Sequence, residues 1–238
     1  MTSLLEEHER WRAARLAELT RPDGWLTLVG LVWLDDGEHR VGAESGCEIE
    51  QPGLPPLFGT LRVAGTAAEW QPCEGGRQPL QSDANGVATV VSHGSISFFL
   101  IERDGRLALR LRDAESPARR NFSGIDCFDF DPAWRIEARW DGALARFTLN
   151  GSNYFLRPQK PAADPLHFVI ADASSGRDTY GGGRFLHVPA ATGDKLILDF
   201  NRAINPPCAF TPFAVCPLPP AENRLSFTVT AGEKTWKG

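Results

Sequence analysis

The fold class expected from this sequence is all-β, a mainly antiparallel sandwich or partly closed barrel, with one N-terminal α-helix. Three observations predict it. Segments rich in β-branched and aromatic residues recur along most of the 238 residues without intervening helical periods. Asp104-Gly105, Asp141-Gly142 and Asn150-Gly151 separate several of them, and such dipeptides close tight hairpins. A helical period is clear once, at the N-terminus.

That helix is predicted over 4–19. Ser3 and Glu6 form a capping box, each side chain satisfying the other's backbone N–H. At about 100° per residue, Leu4, Leu5, Trp11, Leu16 and Leu19 share one half of the wheel with His8, Arg12 and Arg15. Two arginines on the inward face either lay their stems along it and keep wet heads or point into a polar cavity. Pro22-Asp23-Gly24 is a turn that ends the helical region. Strands are then predicted over 25–34, 38–41 after the Asp36-Gly37 turn, 96–102, 107–112, 134–140, 145–149, 154–157, 166–171, 184–188, 195–200 and 225–230. Residues 51–59 and 158–164 are the loosest stretches.

At 42% hydrophobic the chain can bury a full core. Its length lies just under the ~250–300 residues at which single cores split. One domain over 1–238 is expected, with a β body over 25–157 and a motif-rich part over 165–234. A formal charge of -5 and a pI near 5.6 argue against a nucleic-acid surface, which needs clustered positive charge. The acidic N-terminus does not read as a secretory signal. The longest apolar run, 25–34, falls short of the ~20 residues that cross a bilayer. A cytoplasmic protein without membrane contact is the expectation. Five scattered cysteines without a C-x-x-C argue against a disulfide framework.

The densest candidate region runs from Asp172 to Asn223. Gly176-Arg177-Asp178-Thr179-Tyr180-Gly181-Gly182-Gly183-Arg184 fails the Walker pattern, since Gly182 stands where lysine is required and a strand follows. Nor does it fit the dinucleotide fingerprint. It reads either as a tight bulged turn or as a nest of backbone N–H groups flanked by arginines, able to cradle a phosphate or carboxylate. Asp172, Asp178 and Asp199 form salt bridges with Arg177 and Arg184 or divide acid and base roles. Ser174 lacks a nucleophile-elbow context, and His167 or His187 can serve it only through tertiary proximity. Cys208 and Cys216 read as small thiols held between prolines or as thiolate nucleophiles. No histidine spacing marks a metal site, although Cys208, Cys216 and His187 allow one to be imagined. Asn201, Asn205, Glu222 and Asn223 suit bonding to loop backbone. Arg119 and Arg120 stand on a second, smaller loop cluster, Ser116–Gly124.

GWLTLVGLVWLDDG, SPARRNFSGI, DTYGGGRF, LDFNRAINPPCAF, CPLPPAENRL and AGEK together resemble the prokaryotic domain-of-unknown-function family 1684, from about Trp11 to Lys234. The resemblance maps a shared pattern onto Arg119, Tyr180, Gly182, Gly183, Arg184, Phe185, Asp199, Asn201, Asn205, Pro206, Cys208, Cys216, Pro217, Asn223 and Glu233. It implies no activity and no cofactor. Ile204 departs from the aromatic expected there.

The favoured function on sequence alone is a binding site for a small anionic molecule, built by the glycine turn and the NPPC and CPLPP loops. Its candidate ligand residues are Arg119, Tyr180, Gly182, Gly183, Arg184, Asp199, Asn201, Asn205 and Asn223, with Arg12, Arg15 and Arg177 as further cations. An acidic protein that gathers arginines localises positive charge for a reason. Two alternatives stand beside it: an interaction module acting through subunit pairing, and a hydrolase or metalloenzyme using Cys208, Cys216, Ser174 or Asp172. Whether the chain is an enzyme stays open at this level.

Overall fold

The structure, a computed structural model, describes residues 2–237. The chain forms two compact units, one of Leu19–Phe122 and one of Met1–Glu18 with Ser123–Gly238. For brevity these are the middle unit and the terminal unit.

Helix α1 spans Leu4–Leu19. Its capping box is made: the Ser3 N–H donates to Glu6 Oε2 at 2.8 Å and the Glu6 N–H to Ser3 Oγ at 3.2 Å. The buried seam differs from the wheel. Leu4 and Leu5 are exposed, whereas His8 is buried and Trp11, Arg12 and Arg15 are partly buried. These four positions follow the i, i+3, i+4, i+7 spacing of a single stripe. His8 fixes that stripe by lying between the Trp11 and Phe130 rings, at 5.5 and 5.0 Å.

The middle unit holds β1 (Leu28–Trp33), β2 (Gly37–Gly42), β3 (Ile49–Glu50), β4 (Gly59–Ala64), β5 (Ala67–Pro72), β6 (Gln78–Leu80), β7 (Val91–His93), β8 (Ile96–Arg103) and β9 (Arg106–Asp113), then a one-turn helix α2 (Pro117–Arg120). One sheet orders as β1-β9-β8-β7 and another as β3-β2-β4-β5-β6. All pairings are antiparallel except β2 with β3. Asp104 and Gly105 both take positive φ, 53° and 72°, as a tight β8–β9 hairpin requires. Strands β3 to β7 were not foreseen. They are two to six residues long, with Pro72 ending β5 and Pro79 inside β6.

Strand alternation divides β9 between two faces. Leu107, Leu109 and Leu111 join Val41, Leu61, Trp70, Phe98 and Leu100 in one apolar core. Ala108 joins Phe99 and Ile101 in a smaller cluster on the opposite face. Arg110 and Arg112 share the parity of Ala108.

The terminal unit holds β10 (Arg135–Trp140), β11 (Ala145–Leu149), β12 (Ser152–Leu156), β13 (Leu166–Ile170), β14 (Arg184–Val188) and β15 (Lys195–Asp199). Its sheets order as β12-β11-β10-β15 and β13-β14. Phe147, Leu156, Phe168, Ile170, Leu186, Leu198, Phe200 and Val229 fill its core. The strand expected over 225–230 does not form. That segment instead makes single backbone bonds to the chain leaving β13, Leu225 N–H to Ala171 O at 2.8 Å and Ala173 N–H to Phe227 O at 3.0 Å. None of the sheets closes into a barrel. Among the described residues, no helix is long and apolar enough to cross a membrane.

Candidate functional site

Arg184 opens β14 and is fully buried, at 0% exposure. Its Nη2 donates to Asp172 Oδ2 at 2.8 Å and to Val229 O at 3.3 Å. Its Nη1 donates to the carbonyls of Ala231 and Glu233. Asp172 Oδ1 accepts from the Ser174 N–H at 2.8 Å, the Ser174 hydroxyl at 2.6 Å and the Val229 N–H at 3.2 Å. Burial alone would raise this carboxyl, but the Arg184 charge and the hydrogen bonds outweigh it and hold it below its usual value. Ser174 is itself buried and shares a 2.9 Å hydroxyl contact with Thr179. Its partners are thus Asp172 and Thr179.

The predicted asparagines stitch backbone to backbone. Asn201 accepts from the Asp131 N–H at 3.0 Å and donates to the Asp131 carbonyl at 2.9 Å. Asn223 makes the same two-way clamp on Arg157, 2.8 Å in each direction, and also donates to Val169 O at 2.9 Å. Asn205 donates its side-chain amide to Lys234 O at 2.8 Å and its N–H to Glu233 Oε2 at 2.6 Å. Arg15 completes this corner, with Nε 3.1 Å from Glu233 Oε1 and Nη2 donating to Asn205 O at 3.1 Å. Of the two readings for the inward arginines, Arg15 takes neither in full: its head reaches a buried carboxylate. Arg177 is exposed.

The glycine turn is a close-packing device. A Cβ on Gly183, whose φ is +90°, would stand 2.5 Å from Ile170 O and 2.6 Å from Pro219 Cγ. One on Gly182 would stand 2.5 Å from the Tyr180 ring. The Gly183 N–H already donates to Tyr180 O at 3.0 Å. The Tyr180 hydroxyl donates to Cys208 O at 3.2 Å. Cys208 and Cys216 pair as a disulfide across eight residues, which corrects the expectation of free thiols. Pro212 within the loop, with Pro206, Pro207 and Pro217 flanking it, lets the segment fold back on itself, so two sulfurs remote from any C-x-x-C meet.

Asp199 lies at the wall of a cavity of about 360 Å³ lined also by Glu7, Arg135, His187, Lys195 and Arg202. Its Oδ2 lies 3.6 Å from Arg135 Nε and 3.5 Å from Arg202 Nε. Arg202 also pairs with Glu7, and Lys195 with Glu137. Each cation here has a carboxylate of its own chain beside it.

Arg119 belongs to the middle unit. It donates from Nε to Thr20 O and from Nη1 to Ala114 O, both at 2.7 Å. Two arginines that sequence reasoning passed over differ from it. Arg110 is 4% exposed, and its guanidinium has no hydrogen bond and no ion pair among the described residues; its Nε is a buried orphan. Arg112 Nε is likewise buried and unpartnered. Both stand over aromatic faces, Arg110 at 5.5 Å from Trp25 and 5.9 Å from Phe99, Arg112 at 4.3 Å from Phe99. The nearby Asp83 is held in two-pronged fashion by Arg103, at 2.9 and 2.8 Å. Burial pushes Arg110 down to about 10, with Arg103 and Arg112 adding repulsion against the pull of Asp83. Burial pushes Arg112 down as well, opposed by Asp23. At about 10, Arg110 remains charged at neutral pH. The signal was in the LALRLRD alternation: the strand's second face carries arginines, and a second face reads as solvated unless something covers it.

Fold and geometry define an all-β protein with two differently furnished polar regions. Residues 141–234 match the model of a family described as Protein of unknown function (DUF1684), and the chain resembles that family. The matched stretch takes in Asp172, Arg184, Asn201, Asn205 and Asn223, and leaves out Arg110 and Arg119. Among solved structures, the chain is similar to an uncharacterized protein of Haloarcula marismortui determined by solution NMR. Identity is 33%, the match covers 50% of this chain and 80% of that one, and the TM-score is 0.42. No curated protein matches the chain.

Proposed function

We propose that the protein binds a small anionic molecule, a carboxylate or phosphate, through Arg110 and Arg112 of β9. One observation carries the reading: Arg110 is a buried cation without an acceptor. An isolated buried charge is costly and is ordinarily paired. A carboxylate or phosphate offers the planar or forked acceptors that a guanidinium engages in two-pronged fashion. Aromatic faces at Trp25 and Phe99 hold the cations by their ring quadrupoles, and no protein acceptor takes either Nε–H.

Competing locations are weaker on charge grounds. Arg184 already spends its Nη groups on Asp172 and three carbonyls. The cavity beside Asp199 balances three cations, Arg135, Lys195 and Arg202, with Glu7, Glu137 and Asp199. On this reading Tyr180, Gly182, Gly183, Arg184, Asn201, Asn205 and Asn223 are the frame of the terminal unit.

The test is thermal unfolding with inorganic phosphate and with citrate, each against chloride at matched ionic strength. A ligand at 100 times its Kd stabilises by about 2.7 kcal/mol, or roughly 5–10 °C at this chain length. Wild type should show that rise, and Arg110→Met should lose it while staying folded. An unchanged response in Arg110→Met, or no response in wild type to either anion, rules the reading out.

A further inference from the structure

We infer that His167 and His187 form a two-imidazole site for a borderline divalent transition-metal ion of the zinc, nickel or copper kind. The two residues face each other directly across the β13–β14 ladder. Their Nδ1 atoms stand 3.3 Å apart while the ring centroids stand 4.5 Å apart, tilted by 38°. In an end-on N–H···N bond the centroids lie two ring radii further apart than the nitrogens. Here the centroids are about 1.2 Å further apart than the nitrogens, so the rings meet obliquely, and a small rotation of each imidazole brings both Nδ1 atoms onto one ion. Two nitrogens each about 2.0–2.1 Å from a tetrahedral ion are about 3.3–3.4 Å from each other, which is the separation present.

The surroundings suit this chemistry. Rigid ladder strands supply both ligands, so little order is lost on binding. Phe185 packs edge-on against the His167 ring at 4.5 Å and fixes its plane. A metal takes the neutral imidazole; partial desolvation and then the neighbouring His187 push His167 down to about 4, and partial desolvation lowers the otherwise exposed His187 as well. The charges acting on His187 oppose each other, Arg15 against Glu18. Among the described residues no group of three or more His, Cys, Asp or Glu is placed to hold a metal. The remaining coordination positions therefore belong to water or to a small ligand. Imidazole selects zinc, copper and nickel over magnesium or calcium. The site lies in the terminal unit and stands or falls independently of Arg110.

Titration of the full chain with Zn²⁺ by calorimetry tests it, with the free cysteines Cys47, Cys73 and Cys127 alkylated beforehand. Saturable one-to-one binding is expected. His187 is exposed, so His187→Ala should keep the fold and lose at least tenfold in affinity, as should His167→Ala. His93→Ala should be silent. With Cu²⁺, electron paramagnetic resonance should show coupling to two nitrogens. No saturable Zn²⁺ binding, wild-type affinity in either site variant, or coupling to a single nitrogen each overturns the inference.

Discussion

Arg184 of the terminal unit and Arg110 of the middle unit are the same side chain at almost the same burial, 0% and 4% exposed. Their surroundings are opposites. Arg184 has a carboxylate and three carbonyls around it; Arg110 has two aromatic faces and no acceptor. Burial alone therefore does not say what an arginine is for. The census of acceptors does, because desolvation is offset only where partners replace water.

The comparison predicts substitutions of opposite sign. Arg184→Met leaves the Asp172 carboxylate buried beside Ser174 without its counter-charge. Breaking a buried pair in this way costs about 3–5 kcal/mol, a fall of roughly 6–20 °C, measured by calorimetry. Arg110→Met removes a cation that no protein acceptor compensates, and without added anion it should leave the melting temperature unchanged or raise it. Equal destabilisation by both variants would erase the distinction.

A pair of glycines sharpens the contrast next. Gly105 and Gly183 both have positive φ, +72° and +90°, but a Cβ on Gly105 meets nothing within 4 Å. Gly105→Ala should cost only the left-handed penalty, about 1–2 kcal/mol. Gly183→Ala adds a collision with the Ile170 carbonyl and the Pro219 ring, about 1–3 kcal/mol more from overpacking. Denaturant midpoints for the two variants read the difference. If Gly105→Ala proves the more damaging, the glycine turn is not a close-packing device.

These contrasts also show what the sequence made legible. α1 and its capping box, the Asp-Gly and Asn-Gly hairpins, and β14 at Arg184–Val188 were readable because each is set by neighbours along the chain. Strands β3, β6 and β7 were not, since two or three residues leave too little alternation to count; β4 and β5 do alternate, but over six residues each and among polar neighbours the pattern went unread. The Cys208–Cys216 pairing depends on how a proline loop folds back, which spacing does not encode. The family-like residues could be singled out, but their partners could not: Asn201 and Asn223 meet backbone at Asp131 and Arg157, about 70 residues away by chain. Arg110 was visible in LALRLRD, yet its burial depends on what covers the second face of the sheet.

The smallest expected effect comes from histidine. His8, His167 and His187 all lie in the terminal unit, and burial lowers each below its ordinary 6.5. His8 is the most enclosed, between Trp11 and Phe130, with Asp199 and Glu9 favouring its charged form and Arg12 and Arg202 opposing it. The unfolded chain takes up these protons as pH falls through 6.5, and the folded chain does not until a lower pH. Stability is therefore present above 6.5 and declines as pH drops below it. His8→Phe keeps a ring between Trp11 and Phe130 but carries no proton. Its melting temperature between about pH 7 and about pH 5 should fall less steeply than that of wild type. A parallel decline in both would show that His8 is not a source of the acid sensitivity, and would move the effect to the cross-strand pair on β13 and β14.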